Sequence, residues 1–595
     1  MHGNQPGAGG RMRMPAGLQI SNLFKKWRLE EHLTLYLLAI AVGILGGYGA
    51  ILFRLLIKVS QFMFYQDSKD FLSFAHKIPF YLKIFIPALG GLVVGLIVRW
   101  GTEKARGHGV PELIEAVVIR GGRISWRTAT ARVSAAAVTI GAGGSVGREG
   151  PIIHIGSFLG SAVAQVLRLG RDRERILMSC GAAAGISATF NAPIAGMLFA
   201  VEVLLGDFSL GTFSPIVLAS VTAAVISGFH LGSFPAFLIP VFQINSLWEY
   251  GLYPLLGILC GLVAVGFTTT LYLCEDRFND LPVPACMKPA LGGMLLGSML
   301  LVVPQVFGVG YGAVNLALLN KMSLTLMGAL IFAKVVATSI SLGSGSTGGI
   351  LAPSIFIGAM TGGTFGLLVA QVLPLAQPFS ASSYALVGMG ALVAGSIHAP
   401  VTAILLIFEL SGKYQIIFPL LMACFLSMIT GSLLKRRSIY SLKLLRRGID
   451  IAQGREQTIL RNIAVKDVMV RDIKSVLEST PMVTVVNLFR TFNLSCLTVV
   501  NAHGELVGVI SFHDIAGAAS EEEMAYLLIA RDMAETQVDT AVPGDTLAQA
   551  LAKMEAEKVA QLPVVAEDGS GKLLGLILEK DVIATYEREL RLRWF

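Results

Sequence analysis

The chain has 595 residues, 54% of them hydrophobic and only 14% charged, with a mean hydropathy of +0.68. That balance excludes an ordinary soluble enzyme and points to a multi-pass membrane protein carrying an extra domain. The formal charge of +8 does not imply nucleic acid, because the basic residues cluster beside apolar runs, where the positive-inside rule accounts for them.

Residues 1–32 form a basic tail with Arg11, Arg13, Lys25, Lys26 and Arg28. A matching group, Lys435, Arg436, Arg437, Lys443, Arg446 and Arg447, follows the last apolar run, so both termini are expected in the cytoplasm. The start is Gly-rich and polar, unlike a cleavable signal peptide. The six cysteines (180, 260, 274, 286, 424 and 496) have neither metal nor redox spacing and imply no disulfide framework.

Thr34–Lys58 and Phe80–Trp100 are each long and apolar enough to span a bilayer. Gly107-His108-Gly109-Val110-Pro111-Glu112 then leads a glycine-rich backbone into a helix. The stretch Gly141–Gly160, GAGGSVGREGPIIHIGSFLG, places Arg148 and Glu149 deep in apolar sequence among five glycines. A charge at bilayer depth costs roughly 3 kcal/mol even on lenient scales, so it belongs beside a cavity or pathway. The glycines break the helix, and Pro151 fits the first turn of a new one starting near Glu149. Such an N-terminus offers free N–H groups and positive dipole to an anion. A tethered glutamate there competes with a diffusing anion, which makes Glu149 a candidate gate. A buried structural Arg148–Glu149 ion pair is the simpler alternative.

The second half repeats the first. Asn191-Ala192-Pro193 through Glu202 is echoed by His398-Ala399-Pro400 through Glu409, and Pro151–Gly156 by Pro353–Gly358. The halves fall at about 33–231 and 249–437, inside a membrane domain of 33–440. Glycine-broken apolar segments at corresponding places of two halves point to a transport site between them. Sequence repetition alone fits parallel as well as inverted repeats.

Gly147-Arg148-Glu149-Gly150-Pro151 resembles the GREGP signature of the CLC family of chloride channels and chloride/proton antiporters. Gly107–Glu112 resembles that family's GSGIPE motif, with His108 in place of the anion-contacting serine. An imidazole N–H still donates, and its charge changes near neutral pH. Gly349–Pro353 resembles the GxFxP loop with Leu351 in place of phenylalanine; the backbone N–H groups of Ile350 and Leu351 would survive that change as anion donors. Tyr440 falls where the family places a tyrosine hydroxyl on the anion. In Gly181–Leu205, Glu202 matches the first of the two adjacent glutamates of the antiporters, while Val203 occupies the proton-relaying second. Glu202 reads as a structural carboxylate.

Beyond a linker at 441–460, Leu497–Asp514 and Leu562–Asp581 are both strand, polar turn, strand and an acidic helix start. They resemble a pair of CBS domains, at 461–518 and 528–595. The family's nucleotide contacts map to Gly508, Ser511 and Asp514 in the first copy; in the second, Gly575 and Asp581 remain but Leu578 replaces the hydroxyl residue.

The resemblance implies an all-α polytopic membrane domain built from two inverted repeats with broken helices, plus a cytoplasmic α/β CBS pair, assembled as a homodimer in the bilayer. The expected function is chloride transport by a voltage- or pH-gated channel with Glu149 as gate. His108, Ile350, Leu351 and Tyr440 would hold the anion. The alternatives are chloride/proton antiport and, from another class, a membrane-anchored nucleotide sensor. No cofactor or metal is required; an adenine nucleotide at Ser511, Asp514 and Asp581 is one reading of the CBS pair, and a purely structural, dimerising role is the other. No nucleophile–base constellation suggests an enzyme.

Overall fold

Seven of the described helices are long and apolar enough to cross a membrane. A computed structural model describes residues 31–67, 78–101, 106–206, 208–232, 237, 248–372, 380–449, 460, 463–492, 496–512 and 527–592. The chain divides into two units, Met1–Leu442 and Lys443–Phe595.

The first half of the helical unit runs α1 (Glu31–Tyr65), α2 (Phe80–Trp100), α3 (Val110–Val118), α4 (Trp126–Gly141), α5 (Glu149–Val166), α6 (Arg171–Phe190), α7 (Pro193–Leu198, continued by a π-helical turn Phe199–Leu205) and α8 (Leu210–Leu231). The second runs α9 (Glu249–Asp280), α10 (Lys288–Val302), α11 (Tyr311–Leu318), α12 (Leu324–Gly343), α13 (Leu351–Val372), α14 (Ala381–Ile397), α15 (Pro400–Ser411) and α16 (Ile417–Leu434). A short α17 (Ile439–Arg446) follows. The second apolar run forms α2 with the expected bounds, whereas α1 outruns Thr34–Lys58 at both ends. Its apolar pattern continues through Phe62, Met63 and Phe64, and it stops only where Gln66 turns left-handed, φ 55°.

The halves are inverted repeats, and their mutual contacts are reciprocal, as a two-fold relation requires. Gly91 of α2 lies against the Pro289 carbonyl of α10, and Gly293 of α10 against the Pro87 carbonyl of α2. Gly147 and Gly349, each just before a helix, pair with one another antiparallel. The backbone repeats too: Asn191 and His398, which follow α6 and α14, are both left-handed, at φ 54° and 60°.

Small residues let the broken helices approach closely. On the α5–α6 face a Cβ at either Gly156 or Gly181 would lie on the other's carbonyl oxygen, and Gly358 and Gly388 repeat this contact between α13 and α14.

The C-terminal unit holds two similar layers. In the first, β1 (Ser475–Leu477) pairs parallel with β2 (Cys496–Val500), which pairs antiparallel with β3 (Leu506–Ser511). In the second, β4 (Gln561–Val565) pairs antiparallel with β5 (Leu573–Leu578). Both hairpins shift register at the same place, Val499/Val500 and Val564/Val565. Helices α18 (Met482–Phe492), α19 (Ala530–Met533), α20 (Leu547–Glu557) and α21 (Glu579–Leu592) cover them. The chain crosses between the copies. Leu460 and Val465 lie in the core of the second copy, while Ala530 lies in that of the first.

Gly156→Val should therefore cost about 1–3 kcal/mol by forcing α5 from α6. Gly170→Ala should change little, because nothing lies within 4 Å of its missing Cβ and its φ is −64°. Thermal unfolding of the purified proteins in detergent checks both.

Candidate functional site

Three glycine-rich loops are tied together, and each opens a helix. Gly147 and Gly349 exchange backbone hydrogen bonds, 2.7 Å from the Gly147 amide and 2.6 Å from the Gly349 amide. The Gly348 amide donates to the Gly107 carbonyl at 3.4 Å. These bonds hold the first turns of α3, α5 and α13 together. Helix starts leave N–H groups unpaired, so the arrangement gathers donors and positive dipole in the interior of the membrane unit.

Glu149 is the first residue of α5 and is fully buried. Its Oε1 accepts a hydrogen bond from the Tyr311 hydroxyl at 2.9 Å. Its Oε2 is buried and makes no well-aligned hydrogen bond among the described residues. The Ala352 amide, in the first turn of α13, also faces the carboxylate. Ile350 and Leu351, the expected anion loop, are buried at that same turn, where the Ser354 amide donates to the Ile350 carbonyl. Arg148 makes no ion pair with Glu149 among the described residues; its guanidinium lies over the Tyr311 ring, 5.2 Å from the centroid. The simple buried-pair reading therefore does not hold.

His108 and Tyr440 meet edge to face, with centroids 5.9 Å apart, and Tyr440 lies within electrostatic reach of Glu149. The Tyr272 hydroxyl donates to the Ile439 carbonyl at 2.6 Å and fixes the start of α17. Glu149 and the four residues expected to hold the anion, His108, Ile350, Leu351 and Tyr440, thus gather at one place.

Several neighbours escaped the sequence reading. Tyr311 lies in no motif singled out from the sequence. Lys334 is fully buried on α12 and donates to the carbonyls of Val306 (3.1 Å) and Gly308 (2.9 Å). A lone lysine in an apolar helix was a usable signal. Arg132 is buried under Gly109, ion-paired to Glu112 at 3.6 Å.

Glu202 sits in the π-helical turn, and its carboxylate accepts from the amides of Val401 (3.2 Å) and Thr402 (2.7 Å) and from the Thr402 hydroxyl. Glu409 does the same for the first half, accepting from the amides of Ile194 (2.9 Å) and Ala195 (2.7 Å). Each glutamate caps the Pro-initiated helix of the other half. Val203 follows Glu202 in that turn.

In the C-terminal unit Ser511 lines a cleft of about 330 Å³ with Val509, Pro563 and Leu576 and the acidic Glu535, Asp539 and Glu557. Asp581, in the first turn of α21, is not among its lining residues, and Asp514 lies outside the described residues. Burial pushes the Cys496 thiol in this cleft up to about 12.

Residues 90–432 match the protein family described as voltage gated chloride channel, and residues 465–521 and 530–588 match the CBS domain. A ClcB-like chloride channel protein of Ralstonia nicotianae is 33% identical over 416 residues, covering 69% of this chain and 97% of its own length. The Arabidopsis thaliana chloride channel protein CLC-f is 31% identical over 591 residues, 85% of this chain and 74% of its own. The crystal structure of a slow cyanobacterial Cl⁻/H⁺ antiporter matches with a TM-score of 0.62 at 25% identity, over 70% of this chain and 98% of the other.

Proposed function

Because the chain belongs to the voltage gated chloride channel (CLC) family and carries a CBS pair, we propose that it conducts chloride passively across a membrane, with Glu149 as gate. The observation that carries this reading is the position of the Glu149 carboxylate, buried against the first turn of α13. A chloride ion and a carboxylate want the same thing there, N–H donors and positive dipole. They exclude one another. Anions pass when Glu149 is neutralised or swings out, and His108, Tyr440 and the Ile350 and Leu351 amides then serve the ion.

Coupled chloride/proton exchange is the second reading, favoured by the likeness to the cyanobacterial antiporter. Exchange needs a proton route to Glu149. Val203 cannot titrate, and Glu202 is engaged as a cap by three donors, so protonating it would weaken the start of α15. Passive conduction fits these two residues better. An adenine nucleotide in the Ser511 cleft is proposed as regulator; calorimetry on the full chain showing no heat with AMP, ADP or ATP removes it.

The deciding measurement is the zero-current potential of the purified protein in a bilayer, at fixed chloride gradient and varied proton gradient. Passive conduction keeps it at the chloride equilibrium value. A potential that moves with pH establishes exchange, and its loss in Glu202→Gln would then assign the proton route to Glu202.

A further inference from the structure

We propose that Tyr311 is the latch that holds the Glu149 carboxylate at the start of α13, and that buried Lys334 positions the loop presenting this latch. The proposal rests on the gate reading of Glu149.

Between α10 and α11 the chain makes a short 3₁₀ turn, Pro304–Val306, and then passes through Gly308 and Gly310, left-handed at φ 57° and 89°. Irregular backbone inside a membrane domain leaves carbonyls without helical partners, and each needs a donor. Lys334 supplies it. Its Nζ bonds the carbonyls of Val306 and Gly308, and its remaining side rests on the Phe356 ring, 5.0 Å from the centroid. None of these partners is a carboxylate, so the ammonium serves as a clamp rather than as half of an ion pair. The same loop is tied to the segment preceding Glu149, because the Gly308 amide donates to the Gly143 carbonyl at 3.2 Å.

What the clamped loop delivers is Tyr311, the first residue of α11. Its ring packs edge-on against Phe237, 4.9 Å between centroids, and lies beneath the Arg148 guanidinium. The ring is thus fixed on two sides, and its hydroxyl points at Glu149 Oε1. A hydroxyl that donates to the charged carboxylate favours that form over the acid. Tyr311 therefore biases the gate towards its charged, site-filling state, and Lys334 acts on the gate through the loop that presents Tyr311. The other groups facing Glu149 are Arg148 just before α5, Tyr440 on α17 and the Ala352 amide of α13. Arg54 of α1 acts on Arg148 and Tyr311, and His108 packs on Tyr440.

The test is chloride efflux from liposomes loaded with the full-length protein, recorded against pH. Tyr311→Phe keeps the ring contacts and removes the donor. The pH of half-maximal flux should rise by about one unit, the scale of a hydrogen bond to a charged group. In a Glu149→Gln background the same change should have no effect. Lys334→Met should shift the midpoint in the same direction, add nothing to Tyr311→Phe, and be partly rescued in Lys334→Arg. If Lys334→Met does not fold, Lys334→Arg and Tyr311→Phe still carry the comparison. An unchanged midpoint in Tyr311→Phe, with pH dependence lost in Glu149→Gln, overturns the latch and leaves the gate standing. Lys334→Met that lowers thermal stability and flux without moving the midpoint overturns the positioning role. Wild-type pH dependence in Glu149→Gln overturns gate and latch together.

Discussion

Helix N-termini that end inside a membrane domain must find a negative partner, and the membrane unit of this protein is arranged around that requirement. The Gly147–Gly349 bridge brings the starts of α5 and α13 together, and the Gly107 contact adds α3. Lipid cannot satisfy their N–H groups. A carboxylate or a diffusing anion does, and the site holds the carboxylate of Glu149.

The reciprocal glutamates show the same chemistry used in the opposite way. Glu202 and Glu409 each accept two backbone amides at the start of the partner half's helix, and Glu202 adds a hydroxyl. Both oxygens of each are engaged, so these carboxylates are fixed caps. Glu149 has one well-aligned side-chain bond, to Tyr311, and an Oε2 without one. Two backbone amides of the opposite half hold each cap, whereas Glu149 is held by the Tyr311 hydroxyl beside the Ala352 amide. The two-fold relation supplies the caps in pairs and is broken at Glu149, whose counterpart at the first position of α13 is Leu351.

Much of this was legible in the sequence, for physical reasons. Apolar runs and glycine breaks are local signals, so α2, the start of α5 at Glu149 and the repeat of Ala192-Pro193 in Ala399-Pro400 could be read directly. The gathering of His108, Ile350, Leu351 and Tyr440 around Glu149 came through family resemblance, since nothing in their spacing brings them together. What escaped was made of long-range meetings of side chains. Tyr311 reaches Glu149 across 162 positions, and the Glu202 cap reaches Thr402 across 200. The crossing of Leu460 and Val465 into the second C-terminal core has no local mark either. Lys334 is the exception: one cation in an apolar helix was visible, and only the carbonyls it clamps were not.

The central claim is competition between the Glu149 carboxylate and an anion for the start of α13. Chloride binding measured by calorimetry on wild type and Glu149→Gln across a range of pH tests it most directly. Competition predicts that wild type binds chloride more weakly as pH rises, while Glu149→Gln binds it tightly at every pH. Equal affinities with the same pH dependence in both proteins would contradict it.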